Sequence, residues 1–342
     1  MPAPVSREAA SRLSVVIVTY NSRAAVAAAL PALCAQFGPG DELVVVDNAS
    51  IDGTVEAVRE IAPAATVVRS ERNVGFAAGA NAGARAATGD LLVFLNPDAT
   101  PAPGFVEAIR APRGAWSAWM GLVTAENGRV VNTSGGVVHF TGIAWAGHAA
   151  ARGPCEVAFL SGACLAVPRQ EWERAGGFGE AFFMYQEDVD LSLRLRLAGG
   201  RLGVEPAAVV DHDYEFAKGP AKWRMLERNR WATILRCYPG TLLALCAPAL
   251  LATELALLGV AAAGGWLPQK LAAAGQTLRA LPRLLRERRA VQATRTVSAA
   301  EFAAWLTPDL DSPFLGRAGR SKLVRWGLRS YWRLVLRALG AA

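Results

Sequence analysis

Residues 73–99 read NVGFAAGANAGARAATGDLLVFLNPDA. Gly75, Gly79 and Gly83 stand four apart, so a helix over 76–87 carries them on one face. Glycine inside a helix costs about 1 kcal/mol relative to alanine. A helix weakened on one face implies that something comes very close to that face. The run Leu91–Leu95 is purely apolar and has the length of a buried strand. It stops at Asn96-Pro97-Asp98, which aims an acid out of the end of that strand.

The stretches before it repeat the pattern. SVVIVTY at 14–20 is rich in β-branched residues and predicts a buried strand. An alanine-rich helical stretch follows, then a second strand, ELVVVDN, at 42–48. Asp52-Gly53 marks a turn, 54–61 a helix, and TVVRS at 66–70 a short third strand. Strands alternating with helices predict an α/β fold with a mostly parallel, doubly wound sheet. In such sheets ligands bind beyond the carboxyl ends of the strands. Those ends carry Thr19-Tyr20-Asn21, Asp47-Asn48, Asn73 and Asn96-Pro97-Asp98. Asn, Asp and Gly also make ordinary turns after strands. Four polar ends together outline one cleft.

The chain has 342 residues, enough for a large domain or for two. Apolar residues make up 52 %. Five cysteines are scattered without a C-x-x-C pair, so neither a disulfide framework nor a structural zinc site is expected, and a reducing cytosolic setting fits. The start, MPAPVSREAASRL, has no apolar core of the kind a secretory signal needs. The net charge of +7 is unevenly placed: residues 241–342 carry 14 Lys and Arg against five Asp and Glu. That asymmetry points to an acidic surface as partner. Nucleic acid is not expected, because long apolar runs interrupt the basic region.

Six stretches carry a family resemblance: VVIVTYNS, VVVDNASIDGT, RNVGFAAGANAGARAATGD, LLVFLNPDA, FLSGACLAVPRQEWERAGGFGEAFFMYQEDVDLSLRLRLAGGR and ERNRWATILRCYP. In this order, over roughly 14–240, the chain resembles family-2 inverting glycosyltransferases of the GT-A fold. Within them it is similar to the rhamnosyltransferase-like branch that builds bacterial envelope polysaccharides. The resemblance implies a nucleotide-diphosphate sugar donor, dTDP-L-rhamnose in that branch, and a lipid-linked or polysaccharide acceptor. It implies that Thr19, Tyr20, Asn21, Asp47 and Asn48 line the nucleoside pocket. Arg72, Asn73, Gly75 and Phe76 would lie by the donor at a helix N-terminus, whose free N–H groups and dipole favour phosphate. Gly79 and Gly83 would serve close approach either to the nucleotide or to the sheet.

Asn96-Pro97-Asp98 holds the place of the family's acidic metal motif, often Asp-x-Asp, with Asn for the first acid. The resemblance makes Asp98 the ligand of Mg²⁺ or Mn²⁺ and Asn96 a weaker second contact. A histidine near His212 completes the metal site in several members, although a lone histidine is also a common structural residue. Asp188 takes the role of general base. Glu187 would help at the diphosphate or the acceptor, and Asp190 stands beside it. Both also suit the first turn of a helix. The run 189–197 is expected to be amphipathic. Arg228 and Asn229 match a family pair, and Arg228 would face a diphosphate or simply lie on a solvated helix face. His139 and His148, in a glycine-rich segment over 134–153, receive no chemistry.

The expected division is a catalytic domain over 1–235 and a helical region over 236–342. Residues 241–267 form an apolar run broken only by Glu254, long enough to span a bilayer. A span would leave the arginine-rich tail on the far side, against the positive-inside tendency. A re-entrant or interfacial hairpin bent near Pro248 or at Gly264-Gly265 fits better, on the cytoplasmic face of the membrane. A buried helical pair is the soluble alternative. In 321–338, Lys322, Arg325, Arg329, Arg333 and Arg337 recur at steps of three and four. With Trp326, Tyr331 and Trp332 nearby this is the pattern of an interfacial helix over anionic head groups, or of an ordinary packed helix. Two functional rivals stand. A nucleotidyltransferase would carry a glycine in the loop after the first strand, which TYNSRAAV lacks. The other is a non-catalytic nucleotide-sugar-binding scaffold, and an intact Asp188 and Asp98 argue against such decay without proving turnover.

Overall fold

The computed structural model describes residues 12–148, 153–212, 219–311 and 321–341. Residues 1–11 and residues 149–152 of the glycine-rich segment lie outside the described residues. The chain divides into two compact units. The first comprises 1–135, 147–191 and 200–214; the second comprises 136–146, 192–199 and 215–342.

The first unit opens with β1 (Leu13–Thr19), α1 (Arg23–Cys34), β2 (Glu42–Asp47), α2 (Thr54–Ile61), β3 (Thr66–Arg69), α3 (Gly75–Ala86) and β4 (Leu91–Leu95). It continues with β5 (Thr100–Pro101), α4 (Phe105–Arg110), β6 (Ala118–Ala125) and β7 (Val130–Thr133). The second unit takes β8 (Gly136–His139) and β9 (Ala144–Ala146). Then come β10 (Cys155–Glu156), β11 (Cys164–Pro168), α5 (Arg169–Ala175), α6 (Glu187–Leu197) and β12 (Leu202–Asp211).

The large sheet runs β10-β12-β6-β11-β4-β1-β2-β3. β1 pairs in parallel with β2 and β4, and β2 with β3, as the alternation of strands and helices predicts. β1 and β4 are buried along their whole length, which is why they read as unbroken apolar runs. Beyond β4 the pattern changes. β11 is antiparallel to both β4 and β6, and β12 is parallel to β6. The start of β11 and the end of β12 therefore reach the edge where β1, β2 and β4 end. That geometry brings residues 161–163 and His212 to the polar strand ends.

The glycine face of α3 lies on the sheet. A Cβ on Gly83 would stand 2.3 Å from Val16 Cγ1 and 3.1 Å from Val46 Cγ2, and one on Gly79 2.8 Å from Val18 Cγ1. Gly79 and Gly83 thus serve helix–sheet packing. Gly83→Ala is expected to lower stability despite its better helix propensity. Overpacking a tight site costs about 1–3 kcal/mol, against about 1 kcal/mol gained in the helix. Urea unfolding reads the sign; a higher midpoint would mean that β1 yields freely.

α6 is expected to be amphipathic, but 187 and 189–197 are all buried except Asp188, which is partly exposed. Arg196 finds a partner inside: its guanidinium lies 3.3 Å above the Trp305 ring. Leu at every second position therefore marks a helix covered on all sides, not one face.

The second unit contains α7 (Ala221–Cys237), α8 (Gly240–Ala263), α9 (Leu267–Ala293), α10 (Ala299–Ala303), β13 (Leu306–Thr307) and α11 (Lys322–Ala338). β13, β8 and β9 form a three-stranded sheet, and Phe140 stacks on Trp332 at 4.9 Å. α8 runs straight through Pro248 as one helix, and the chain turns at Gly264-Gly265 to bring α9 back along α7 and α8. The bend thus falls at the glycines, one of the two positions expected, and Pro248 lies inside α8. Glu254, the one charge in the apolar run, is not stranded. It meets Arg230 of α7, and its Oε2 lies 2.6 Å from Lys270 Nζ of α9. Glu227 Oε2 accepts from Arg230 Nη2 at 3.0 Å and also pairs with Lys270. Burial opposes the charge on Glu227, yet Arg230 and Lys270 hold its carboxyl below the usual range. Two cations and two anions cancel, which is what makes their burial tolerable.

Candidate active site

The cleft is built where β1, β2 and β4 end. Asp47 is buried; Thr19 donates to its Oδ1 at 3.3 Å, the Ser50 N–H donates to its Oδ2 at 3.2 Å, and Arg69 Nε stands 3.9 Å away. Arg69, at the end of β3, is the cation that approaches Asp47, while Arg72 lies exposed ahead of α3. Asn48 accepts no bond at its buried Oδ1, while its Nδ2 donates to the Gly75 carbonyl at 3.1 Å. Asn21 takes a left-handed backbone (φ 51°) and accepts from the Ile51 N–H at 3.0 Å, so the loops after β1 and β2 are stitched together. Tyr20 and Ile51 are left exposed beside them, two apolar surfaces at a polar edge.

The N-terminus of α3 is less open to an anion than its sequence suggests. Asn73 Oδ1 accepts from the Gly75 N–H at 2.9 Å, and the Phe183 carbonyl accepts from the Ala77 N–H at 3.2 Å. Two of the first N–H groups are therefore already taken. Gly75 has φ +85°, and a Cβ there would meet the Phe183 carbonyl at 2.5 Å, so only glycine fits. Phe76 packs on Phe178, with ring centroids 5.6 Å apart. Asn81, midway along α3, exchanges two hydrogen bonds with the backbone of Phe178, each 2.9 Å. α3 and the 177–186 loop thus form one body.

That loop ends in strained backbone. Phe183, Tyr185 and Gln186 all have φ between 63° and 70°, which is costly for residues with side chains. It delivers Glu187, Asp188 and Asp190 into the first turn of α6. Glu187 and Asp190 are buried, and Glu187 Oε2 has no hydrogen-bond partner. Asp188 accepts from the Gly162 N–H at 3.0 Å and from its neighbour Val189 at 2.8 Å. Burial raises the Asp188 carboxyl above its usual range, against the pull of those two N–H bonds. Burial, then the Asp188 charge, pushes Glu187 well above the carboxylate range. Gly162 is the group that sequence reasoning missed: FLSGA names the stretch, but the bond depends on where β11 begins.

At the end of β4, Asp98 Oδ1 lies 3.0 Å from His212 Nε2, and Asn96 Nδ2 lies 3.3 Å from the same nitrogen. His212 is buried, whereas half of the Asp98 side chain is exposed. The Asn96 N–H donates to the Ala163 carbonyl at 3.1 Å, so residues 161–163 bridge this cluster and Asp188. Among the described residues no three His, Cys, Asp or Glu side chains group as a complete metal site. An exposed carboxylate next to an imidazole nitrogen still suits a divalent ion that takes its remaining ligands from phosphate and water. Arg228 lies in the second unit, on α7, where its Nε donates to Asn229 Oδ1 at 2.9 Å. Burial and the nearby Arg283 and Arg224 lower its pKa, a repulsion that an anion would relieve.

Residues 14–112, which hold β1 to β4 and the Asn96-Pro97-Asp98 end, match the model for glycosyl transferase family 2. The chain carries a glycosyltransferase family 2 domain. It is 29 % identical over 238 residues to N-acetylglucosaminyl-diphospho-decaprenol L-rhamnosyltransferase of Mycobacterium tuberculosis, covering 60 % of this chain and 78 % of that one. It is 45 % identical to rhamnosyltransferase WbbL of Escherichia coli over 56 residues, 16 % of this chain and 21 % of that one. Among solved structures it is similar to residues 1–349 of S. aureus TarS in complex with UDP-GlcNAc. The TM-score is 0.57 at 18 % identity, covering 96 % of this chain and 91 % of that one. It is also similar to mannosyltransferase PcManGT of Pyrobaculum calidifontis in complex with GDP-Man and Mn²⁺. There the TM-score is 0.51 at 24 % identity, covering 86 % and 88 %. The two solved structures speak for the fold: a central sheet like that of GT-A glycosyltransferases, followed by a helical C-terminal region with one apolar helix. The protein is a glycosyltransferase.

Proposed function

We propose that the protein moves L-rhamnose from dTDP-L-rhamnose, with inversion, onto a lipid-linked diphosphate sugar at the cytoplasmic face of a membrane. The observation that carries this reading is the bridge of residues 161–163 between Asp188 and the Asn96–Asp98–His212 cluster. It sets a proton acceptor beside a site suited to a diphosphate. The name of the mycobacterial relative, with its L-rhamnosyl transfer and decaprenol diphosphate, supports the donor and the acceptor class.

In this reading Thr19, Asp47 and Asn48 hold the nucleoside and Tyr20 lies against its base. Asp188 takes the proton from the acceptor hydroxyl as that oxygen bonds to the anomeric carbon. The bond from that carbon to the diphosphate oxygen breaks on the opposite face, which inverts the centre. The deprotonated form of Asp188 is the working one, and the Gly162 N–H holds it in place. Asp98 and His212 would hold Mg²⁺ or Mn²⁺, whose charge offsets that of the departing nucleoside diphosphate.

The test incubates purified protein with a panel of dTDP-, UDP- and GDP-sugars, with and without a detergent-solubilised polyprenyl-diphospho-sugar. The expected result is dTDP release from dTDP-L-rhamnose that depends on the acceptor. Pyrophosphate formed from a sugar 1-phosphate and a nucleoside triphosphate would instead make it a nucleotidyltransferase. Binding of nucleotide sugars without turnover of any would make it a scaffold.

A further inference from the structure

α8 inverts the rule for a helix facing water. From Ala244 to Ala263 every exposed residue is apolar, with Leu251 and Leu255 each 63 % exposed, while Glu254 turns inward to Arg230 and Lys270. By length and composition Gly240–Ala263 could cross a membrane, and only 11 % of its most apolar stretch is buried. Its other face is committed: Leu242, Cys246 and Leu250 are buried. α9 and α11 both pack against α8, and the Tyr331 hydroxyl donates to the Leu245 carbonyl.

Those two helices add exposed apolar and basic groups. On α9, Leu271, Leu278 and Leu285 are exposed at seven-residue steps, with Arg279, Arg286 and Arg289 exposed beside them. On α11, Leu323, Trp326 and Leu334 are exposed next to Lys322, Arg333 and Arg337. The expected five-cation stripe is reduced, because Arg329 is engaged by Asp309 at 2.6 and 3.1 Å and Arg325 is half-buried. The acids of the region are largely committed. Glu254 joins the buried cluster, Glu287 pairs with Arg236 and Arg283, Asp309 with Arg329, and Glu301 caps α10. The surface left over is leucine, tryptophan and arginine.

We propose that the second unit docks on an anionic phospholipid monolayer through the outward faces of α8, α9 and α11, with α8 lying along the interface instead of crossing. Leucine and tryptophan beside cations match acyl chains below anionic head groups. Crossing is opposed by Glu254, because a spanning α8 would carry the Glu254–Arg230–Lys270 cluster into hydrocarbon. The inference deepens the membrane setting of the proposed function. Transfer to the acceptor in detergent micelles, which needs no vesicle, keeps the two separately testable.

The experiment floats the full chain with phosphatidylcholine vesicles, with and without 30 % phosphatidylglycerol. The wild type is expected to float mainly with the anionic vesicles. Leu251→Asn with Leu255→Asn is expected to weaken binding to both at least tenfold. Arg279→Gln, Arg286→Gln and Arg289→Gln together are expected to weaken binding to the anionic vesicles by about a hundredfold, at roughly 1 kcal/mol per cation. They should leave binding to the neutral vesicles unchanged, and 0.5 M salt should act as these substitutions do. Circular dichroism melts check that the variants stay folded. Protease added outside sealed vesicles is expected to remove tags at both ends of the chain. Protection of one tag would show that α8 crosses and would overturn the proposal. So would equal binding by wild type and variants, or a lipid-free dimer that the leucine substitutions dissociate.

Discussion

Asp188→Asn is expected to lower kcat by about 10²–10⁴-fold, the range lost with a general base, while donor affinity stays within a few-fold. The amide keeps the shape and can still accept from Gly162, but it cannot take a proton. The wild-type pH profile should carry the same signature. Burial raises the Asp188 carboxyl, so the ionised form, and with it transfer, is lost as pH falls through a value above that of an ordinary aspartate. Glu187 works the other way on stability. Its folded pKa is raised, so its contribution is fully present below the unfolded value and is lost as pH rises through the folded one. Glu187→Gln should flatten that decline in a urea series without moving the acid limb of kcat. An Asp188→Asn enzyme that keeps more than about a tenth of wild-type kcat would remove Asp188 from the role.

Chelation is expected to stop transfer altogether, with Mg²⁺ or Mn²⁺ restoring it. Asp98→Ala should cost about 10²-fold or more, because a metal at a leaving group supplies several kcal/mol of charge stabilisation. The substitution should weaken donor binding in the presence of the ion and leave metal-free binding nearly unchanged. Calorimetry with the nucleoside diphosphate, with and without Mn²⁺, separates the two. Full turnover in EDTA would dismiss the ion, and with it any ligand role for His212.

The half of the sheet that follows parallel rules was legible in the sequence. β1, β2 and β4 announce themselves because burial on both faces leaves nothing but Val, Ile, Leu and Phe between polar ends. The other half was not. β6, β11 and β12 are built from mixed residues such as AWMGLVTA and LGVEPAAVVD, and their pairing depends on contacts far apart in sequence. His212 stands near Asp98 only because β12 runs parallel to β6, and Gly162 meets Asp188 only because β11 runs the other way. The α3 N-terminus looked like an open anion site because Phe183, a hundred residues on, carries the carbonyl that occupies it. α6 looked amphipathic because arginine in a sequence suggests water, whereas Arg196 lies over an indole.

The neutral quartet of Glu227, Arg230, Glu254 and Lys270 also constrains how such a chain can change over generations. Deleting one member strands a charge and costs about 3–5 kcal/mol, a large part of the stability of a typical domain, whereas exchanging all four for well-packed apolar residues can be free of cost. Single steps therefore pass through a valley. Descendants of this chain should lose these residues in oppositely charged pairs and not singly, so a lineage with Leu in place of Glu254 should also have neutralised a cation at 230 or 270.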